Sequence, residues 1–515
     1  MKHIYLMISI FIYVITFFLL FPRYQYNIDA DGIAYIQQAR QYASGNFDIA
    51  LNGCWSPLIA WILSPFIYFG YDPLLTLKYL NGFWGLATLI SFDYFSKNFN
   101  LSAFFKKSYT LVLPLLILPY VFYVLGPDLL QLFIMSIYFH CLCRVKFIYS
   151  NTSLILVALI GALCYFAKAY SFYFFIIHIA IVLYFIAKKY EPTQYMHFYL
   201  KKLGLVLFAF FLFCSPFVFL ISKKYDNFTI STASAITQNK SLEPSFTDGK
   251  KLTVPPLHTN AISIADDPSF FQVKKINMFT SFHYFVKQIK ITVANFFVYT
   301  QLLNEISFLA ITIILVFIFN TFLKPIKRIS INDFVLGFST IFYPLGYLLI
   351  AIEWRYVWLL PILLLLMSGI ILNYFQMKIK KLILLLITFI ILISFSLKPV
   401  LTLIHTCELP NEYGLSKKIK EKGIAGNFFA NLSGWENMSK SYKIAYWNSM
   451  KVFGFFNSDY NYLDIIRESK LHSVQYFFYY YNSQAEKEML LRSDFSRAAV
   501  EIISDIKEVV IYKLY

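Results

Sequence analysis

Pro57-Leu58-Ile59-Ala60-Trp61-Ile62-Leu63-Ser64-Pro65-Phe66-Ile67-Tyr68-Phe69 is the stretch on which the reading of the whole chain turns. It is apolar, but it is bracketed by Pro57 and Pro65 and falls short of the ~20 residues needed to cross a hydrocarbon core near 30 Å. Counted as a transmembrane span, it inverts every later loop against the rule that basic residues stay in the cytoplasm. Counted as an interfacial or re-entrant helix, it leaves those loops in agreement. The second reading is adopted, and the topology follows outward from it.

Of 515 residues, 58% are hydrophobic and 14% charged, whereas a soluble protein carries roughly a quarter charged residues. Apolar blocks recur at 4–21, 203–221, 306–323 and 382–397, each near the length of a membrane span. The net charge of +17 raises the question of nucleic acid, but the basic residues sit at span ends. Lys97 with Lys106 and Lys107, Arg144 with Lys146, Lys188 and Lys189 with Lys201 and Lys202, Lys324 with Lys327 and Arg328, and Lys378 with Lys380 and Lys381 mark every second connection. That alternation places these connections and Lys2 in the cytoplasm and removes nucleic acid as a partner. Spans are expected near 4–22, 71–96, 108–124, 128–143, 152–167, 171–187, 203–221, 299–321, 333–351, 356–376 and 382–398, about eleven in all. The fold class is therefore an α-helical polytopic membrane protein with a cytoplasmic N-terminus. The first segment lacks a small-x-small cleavage site around Phe21-Pro22-Arg23-Tyr24 and reads as a retained anchor.

The chain divides into a transmembrane domain, 1–398, and an extracytoplasmic domain, 399–515. Two outer loops, 23–70 and 222–298, are long enough for structure of their own. The first predicts a surface helix over 32–44, and the second a polar, turn-rich loop followed by a surface-lying amphipathic helix over 269–291. After 399 the pattern alternates helix 411–422, strand 424–430, helix 435–447, strand 451–456, helix 459–469, strand 473–481, helix 483–495 and a closing strand pair through 509–515. A small α/β layer with a mainly parallel sheet follows. Cys54 and Cys407 face outward together, so a disulfide between them is open, though no disulfide framework is present.

Ionisable residues at the rim of a membrane are costly to keep and mark functional sites. This topology gathers Asp29, Asp31, Asp128, Lys168, Glu353 and Arg355 at the outer surface. A carboxylate opening an outer helix is placed to take a proton from an acceptor hydroxyl or to hold a divalent cation, Mg or Mn, shared among Asp29, Asp31 and Asp128. The plainer role for Asp31 is to cap the helix starting at Gly32, and Asp128 in Gly126-Pro127-Asp128 has the same alternative. Lys168 and Arg355 are suited to a phosphate, or to lipid headgroups with Glu353 pairing Arg355. The eight histidines do not cluster at metal spacing, and neither GxSxG nor the glycine-rich nucleotide motifs occur.

The first loop, Asp31-x-x-x-Tyr35-x-x-x-Ala39-Arg40 with Ser44-Gly45-Asn46-Phe47 and then Trp55-Ser56-Pro57-Leu58-Ile59-Ala60-Trp61, resembles that of the GT-C superfamily of glycosyltransferases, which contains aminoarabinose transferases and protein O-mannosyltransferases. Pro127-Asp128-Leu129-Leu130 and Glu353-x-Arg355-Tyr356 with Pro361 are similar to later motifs, so the resemblance spans nearly the whole chain. It implies a GT-C-like fold and an enzyme that moves a sugar from a polyprenyl-phosphate carrier to a lipid, glycan or protein acceptor on the extracytoplasmic side, with inversion. It implies Asp31 as base and Asp128 as a second acidic residue, in a protein of the bacterial inner membrane. The residue after Asp31 is Gly32 where many relatives have Glu, which leaves Asp29 to compete for the second carboxylate role. Trp55-Ser56-Pro57 replaces a Lys-Pro-Pro-type element, so the cation some relatives carry there is absent. Two other classes stay open: a transporter or flippase of lipid-linked glycans, for which mid-membrane charges and internal repeats are lacking, and a non-catalytic glycan-assembly scaffold.

Overall fold

A computed structural model of the chain describes residues 3–242, 252–253, 255–258, 260–270, 278–376, 379–405, 411–432, 435–456, 462–493, 496 and 499–515. The protein is an integral membrane protein, mostly helical. Six helices are long and apolar enough to cross a membrane: Ile4–Tyr24, Ala103–Tyr123, Ser171–Tyr190, Tyr195–Lys224, Trp354–Phe375 and Lys381–Ile404. A bent pair, Phe282–Ile306 and Ala310–Thr321, makes a seventh if it is one span. Every apolar segment expected to span is helical, but the count of about eleven is higher than length and composition support. Asp128–Leu142 and Asn151–Ala167 have 15 and 17 residues, and Pro73–Ser96 carries buried Lys78, Asn81 and Asp93.

Two expected spans are interrupted. Between 299 and 321 the axis bends by 98°, because Ser307 is extended (φ −165°, ψ 134°) and ends the first helix. The Ser307 hydroxyl meets that of Ser394 at 2.7 Å, so the break is hydrogen-bonded inside the bundle. Between 333 and 351 the helix Ile331–Phe342 gives way at Tyr343-Pro344 to the single turn Leu345–Leu348. Proline has no N–H to continue the ladder, and the carbonyls freed downstream are taken by side chains. Asn295 Nδ2 donates to Leu348 O at 2.9 Å and Gln288 Nε2 to Leu349 O at 2.6 Å.

The 57–69 stretch forms the helix Leu58–Tyr68, 11 residues and hence about 16 Å long. It packs through Ile59, Ala60 and Leu63, all fully buried, against the helix Ala30–Ala43. That second helix starts two residues earlier than expected. Of the helix expected over 269–291, residues 271–277 lie outside the described residues, and a helix runs from Phe282, where the Ser281 hydroxyl accepts from Tyr284 N at 3.3 Å, on to Ile306. Short 3-10 turns occupy Ile264–Asp266 and Pro268–Phe270. Cys407 and the polar stretch 243–251 lie outside the described residues.

The C-terminal part is a mixed α/β sheet, not a mainly parallel one. Strands β1 (Leu252–Thr253), β2 (Asn427–Asn431), β3 (Lys451–Phe456), β4 (Tyr476–Tyr480), β5 (Glu501–Ile503) and β6 (Val509–Lys513) lie in the order β1-β3-β2-β4-β6-β5. β2 is parallel to β3 and β4, because the helices Trp435–Asn448 and Tyr462–His472 provide crossovers. The remaining pairs are antiparallel: β6 with β4 and β5, and β1 with β3. β1 belongs to the connection between Lys224 and Phe282, so a strand from the first part of the chain edges the sheet of the last. Phe428 stacks on Phe478 at 4.3 Å on one face, and Phe429 meets Phe456 edge-on at 4.9 Å on the other.

Candidate active site

The N-terminus of Ala30–Ala43 sets the geometry. Asp29 is the cap: its backbone is extended (φ −110°, ψ 169°) and its carboxylate accepts from Gly32 N at 2.9 Å. The capping alternative considered for Asp31 therefore belongs to Asp29. Burial, and next the neighbouring Asp31 charge, push the Asp29 carboxyl up to about 7. Gly32 is where the helix touches the segment before Asp128; a Cβ there would lie 2.7 Å from Asp29 Oδ1 and 2.9 Å from Leu125 Cβ. A glutamate does not fit at that position in this packing.

Asp31, in the first turn and clear of the cap, accepts from Arg355 Nη1 at 2.5 Å. Arg355 Nε donates to Glu353 at 2.8 Å. Asp128 opens the helix Asp128–Leu142 without capping it, and its carboxylate pairs with the Lys168 ammonium. Lys168 is the residue at which Asn151–Ala167 ends, in the short turn before Ser171–Tyr190. The two ion pairs meet at Tyr356. Its ring lies 4.3 Å from Lys168 Nζ and 5.1 Å from the Arg355 guanidinium carbon, and its hydroxyl accepts weakly from Arg355 Nη2 at 3.4 Å. Tyr356 stacks on Tyr347 at 4.5 Å, and Tyr347 on Tyr170 at 3.9 Å.

Tyr35 is buried one turn beyond Asp31, edge-on to Trp55 at 5.4 Å. Burial, followed by the charges of Asp31 and Asp128, holds its hydroxyl well above the usual phenol range. Asp29, Asp31, Asp128, Lys168, Glu353, Arg355 and Tyr35 thus share one neighbourhood. Asp31, Arg355 and Lys168 keep 22%, 20% and 17% of their side chains accessible, while Asp128 keeps 7% and is the most enclosed of the four. Sequence reasoning missed Tyr356, Tyr347 and Tyr170. The only signal was Tyr356 following Arg355; the stack depends on the break at Pro344, which periodicity does not show. It also missed Lys78, 4% exposed on Pro73–Ser96, whose Nζ has no hydrogen-bond partner among the described residues.

A divalent cation held by Asp29, Asp31 and Asp128 does not fit this arrangement. Each carboxylate is turned to a different partner, and among the described residues no group of three His, Cys, Asp or Glu side chains is placed to hold a metal ion.

No family model matches the sequence, and no curated protein does. Solved structures do match. The chain is similar to the Archaeoglobus fulgidus oligosaccharyltransferase in complex with zinc and sulfate, with a TM-score of 0.57 and 11% identity over 95% of this chain and 70% of that one. It is similar to ArnT from Cupriavidus metallidurans bound to undecaprenyl phosphate, with a TM-score of 0.55 and 10% identity over 98% of this chain and 97% of that one. The apo form of ArnT matches equally, at a TM-score of 0.54. At such identities the likeness establishes the fold alone, one that the chain shares with these structures over nearly its full length.

Proposed function

We propose that this protein is a glycosyltransferase that moves a sugar from a polyprenyl-phosphate carrier to an acceptor hydroxyl at the extracytoplasmic face, in a bacterial inner membrane with the N-terminus inside. The observation that carries the reading is the pair of ion pairs at Tyr356. Two carboxylates and two cations face one accessible neighbourhood on a fold whose solved members are transferases of this class. An inverting displacement needs just such groups.

In the proposed step the acceptor oxygen forms a bond to the anomeric carbon while its proton passes to Asp31. The bond from that carbon to the phosphate oxygen breaks, and the phosphate leaves with the electron pair. Arg355 and Lys168 stabilise the departing charge, Arg355 by its fork and Lys168 as a point charge. Both cations are neutralised by carboxylates before a donor binds. A donor phosphate competes with Asp31 for Arg355 and with Asp128 for Lys168, and a freed Asp31 is the better base. Binding of the donor thereby arms the base, which ties proton removal to the presence of a sugar to transfer. Tyr35, on which the charges of both carboxylates act, is a positioning residue for either.

The test is transfer of a radiolabelled sugar from a polyprenyl-phosphate donor in membranes containing the full chain. Asp31→Asn is expected to lower the rate by about 10²-fold or more, the range of a general base, with donor binding kept. Undiminished transfer removes Asp31 from the reaction. Transport of the intact lipid-linked glycan, without a change of linkage, makes the protein a flippase instead.

A further inference from the structure

The Asp128–Lys168 pair is the outermost of three polar contacts that run inward along the helices Asp128–Leu142 and Ser171–Tyr190. Gln131 Nε2 donates to Ser171 Oγ at 2.8 Å, and the Tyr138 hydroxyl lies 3.0 Å from His178 Nδ1. Forty residues separate the members of every pair, so the two helices run parallel and advance in step. Tyr138 and His178 come ten residues after Asp128 and Lys168, which a helical rise converts to about 15 Å.

His178 is fully buried, between the rings of Phe174 and Phe338 at 4.9 and 5.2 Å. Its other nitrogen, Nε2, is 3.0 Å from Ser339 Oγ. The Ser339 hydroxyl spends its one proton on Val335 O at 2.6 Å, so Nε2 is the donor to Ser339. An imidazole that carries only that proton accepts at Nδ1 from the Tyr138 hydroxyl. One side chain thus ties together Asp128–Leu142, Ser171–Tyr190 and Ile331–Phe342. The outer ends of those three helices carry the site. The first opens on Asp128 and the second follows Lys168. The third leads through Tyr343, whose carbonyl accepts from the Tyr170 hydroxyl, to Tyr347 and its stack on Tyr356.

Inside a membrane, apolar contacts between helices are no better than contacts with lipid, so polar pairs across the helices do much to set their register. Lys168 depends on that register because it lies between two helices. Its N–H donates to Cys164 O and its carbonyl accepts from Ser171 N, each at 2.9 Å. The transferase reading adds a demand: when a donor phosphate takes Lys168 from Asp128, the outermost contact opens, and the two beneath it keep the helices aligned. We infer that His178 is a positioning residue for Lys168, holding the ammonium against Asp128 in the resting protein and against the donor phosphate during transfer. The second half of that role rests on the transferase reading; the first does not.

The test follows acetylation of Lys168 by a water-soluble amine reagent, read by mass spectrometry on the full chain in lipid nanodiscs, with Lys224 as internal reference. The two lysines keep 17% and 16% of their side chains accessible and each is paired to a carboxylate, so their rates report local release. Tyr138→Phe, which removes one oxygen, and His178→Phe should each raise the Lys168 rate about tenfold with Lys224 unchanged, the factor that one interhelical hydrogen bond supports. His178→Gln, which offers one donor and one acceptor, should restore the wild-type rate. Undecaprenyl phosphate is the second probe: His178→Phe should weaken its binding about tenfold in the wild-type background and less than about twofold in Lys168→Met. An unchanged Lys168 rate in both phenylalanine variants, a rise shared equally by Lys224, or an equal loss of binding in the two backgrounds overturns the positioning role. If the wild type does not bind undecaprenyl phosphate while Lys168 is released as expected, the transferase reading falls and the hold of His178 on Lys168 stands.

Discussion

Asp29 and Asp31 are two residues apart and are held in different ways, which assigns them different chemistry. Asp29 points back into its own helix and is buried; Asp31 points out to Arg355. The Asp128–Lys168 pair is the more deeply enclosed, and removing one member of an enclosed pair leaves an uncompensated charge. Lys168→Met is expected to destabilise the protein by about 3 kcal/mol, and adding Asp128→Asn should recover most of that loss, as read by apparent unfolding temperature in detergent. Asp266 gives a pH signature at the same scale. Its carboxyl accepts from Ile262 N at 2.9 Å, and burial pushes it up to about 7 from 3.8. The folded chain holds this proton more tightly than the unfolded one, so the contribution is full below 3.8 and is lost as pH rises through about 7. Between pH 5 and 8 the wild type should lose apparent stability, and Asp266→Asn, which keeps an acceptor without a charge, should flatten that slope.

Helices in this protein approach closely where glycine allows it. A Cβ on Gly85 would lie 2.3 Å from the Tyr13 hydroxyl and 2.7 Å from Val121 Cγ2, at the meeting of Ile4–Tyr24, Pro73–Ser96 and Ala103–Tyr123. Tyr13 is fixed there by donating to Gly82 O at 2.8 Å. Gly85→Ala should cost about 1–3 kcal/mol of stability, and Tyr13→Phe in the same chain, which removes the clashing oxygen, should return part of it. Thermal unfolding of the two single variants and the double variant measures both effects. The same scale explains the two interrupted helices. A count of apolar residues passes over Ser307 and over Tyr343-Pro344; at the first break the Ser307 hydroxyl is bonded to that of Ser394, and at the second Asn295 and Gln288 donate to freed carbonyls. Those partners lie 87, 53 and 61 residues away in sequence.

Across the whole molecule, the C-terminal sheet is tied to the segment that carries the candidate base. Tyr26 stacks on Tyr413 at 4.0 Å, Trp447 closes edge-on against Tyr413 at 5.0 Å, and the Arg40 guanidinium lies 5.5 Å from the Tyr446 ring. Tyr26 is three residues before Asp29. Trp447→Ala is therefore expected to raise amide hydrogen exchange in both Asn411–Glu421 and Ala30–Ala43, while the hairpin of Asn151–Ala167 and Ser171–Tyr190 stays protected. Equal protection in variant and wild type would show that the sheet does not steady the site.

The sequence by itself determined that the chain lives in a membrane, where its helices run, and which charged residues are too costly at a membrane rim to be incidental. These are local properties: length of apolar run, position of basic residues, alternation after 399. It also carried the resemblance that assigned roles to Asp31 and Asp128, whereas Arg355 came from the placement of charges at the rim. Only the tertiary structure decided which carboxylate caps and which pairs, since Asp29 and Asp31 differ in direction and not in composition. It alone bent 299–321, broke 333–351 and brought β1 across about two hundred residues to the edge of β3, because those outcomes depend on partners distant in the chain. The stack of Tyr356, Tyr347 and Tyr170 arises in the same way: it needs surfaces from separate segments to meet, and no single segment records the meeting.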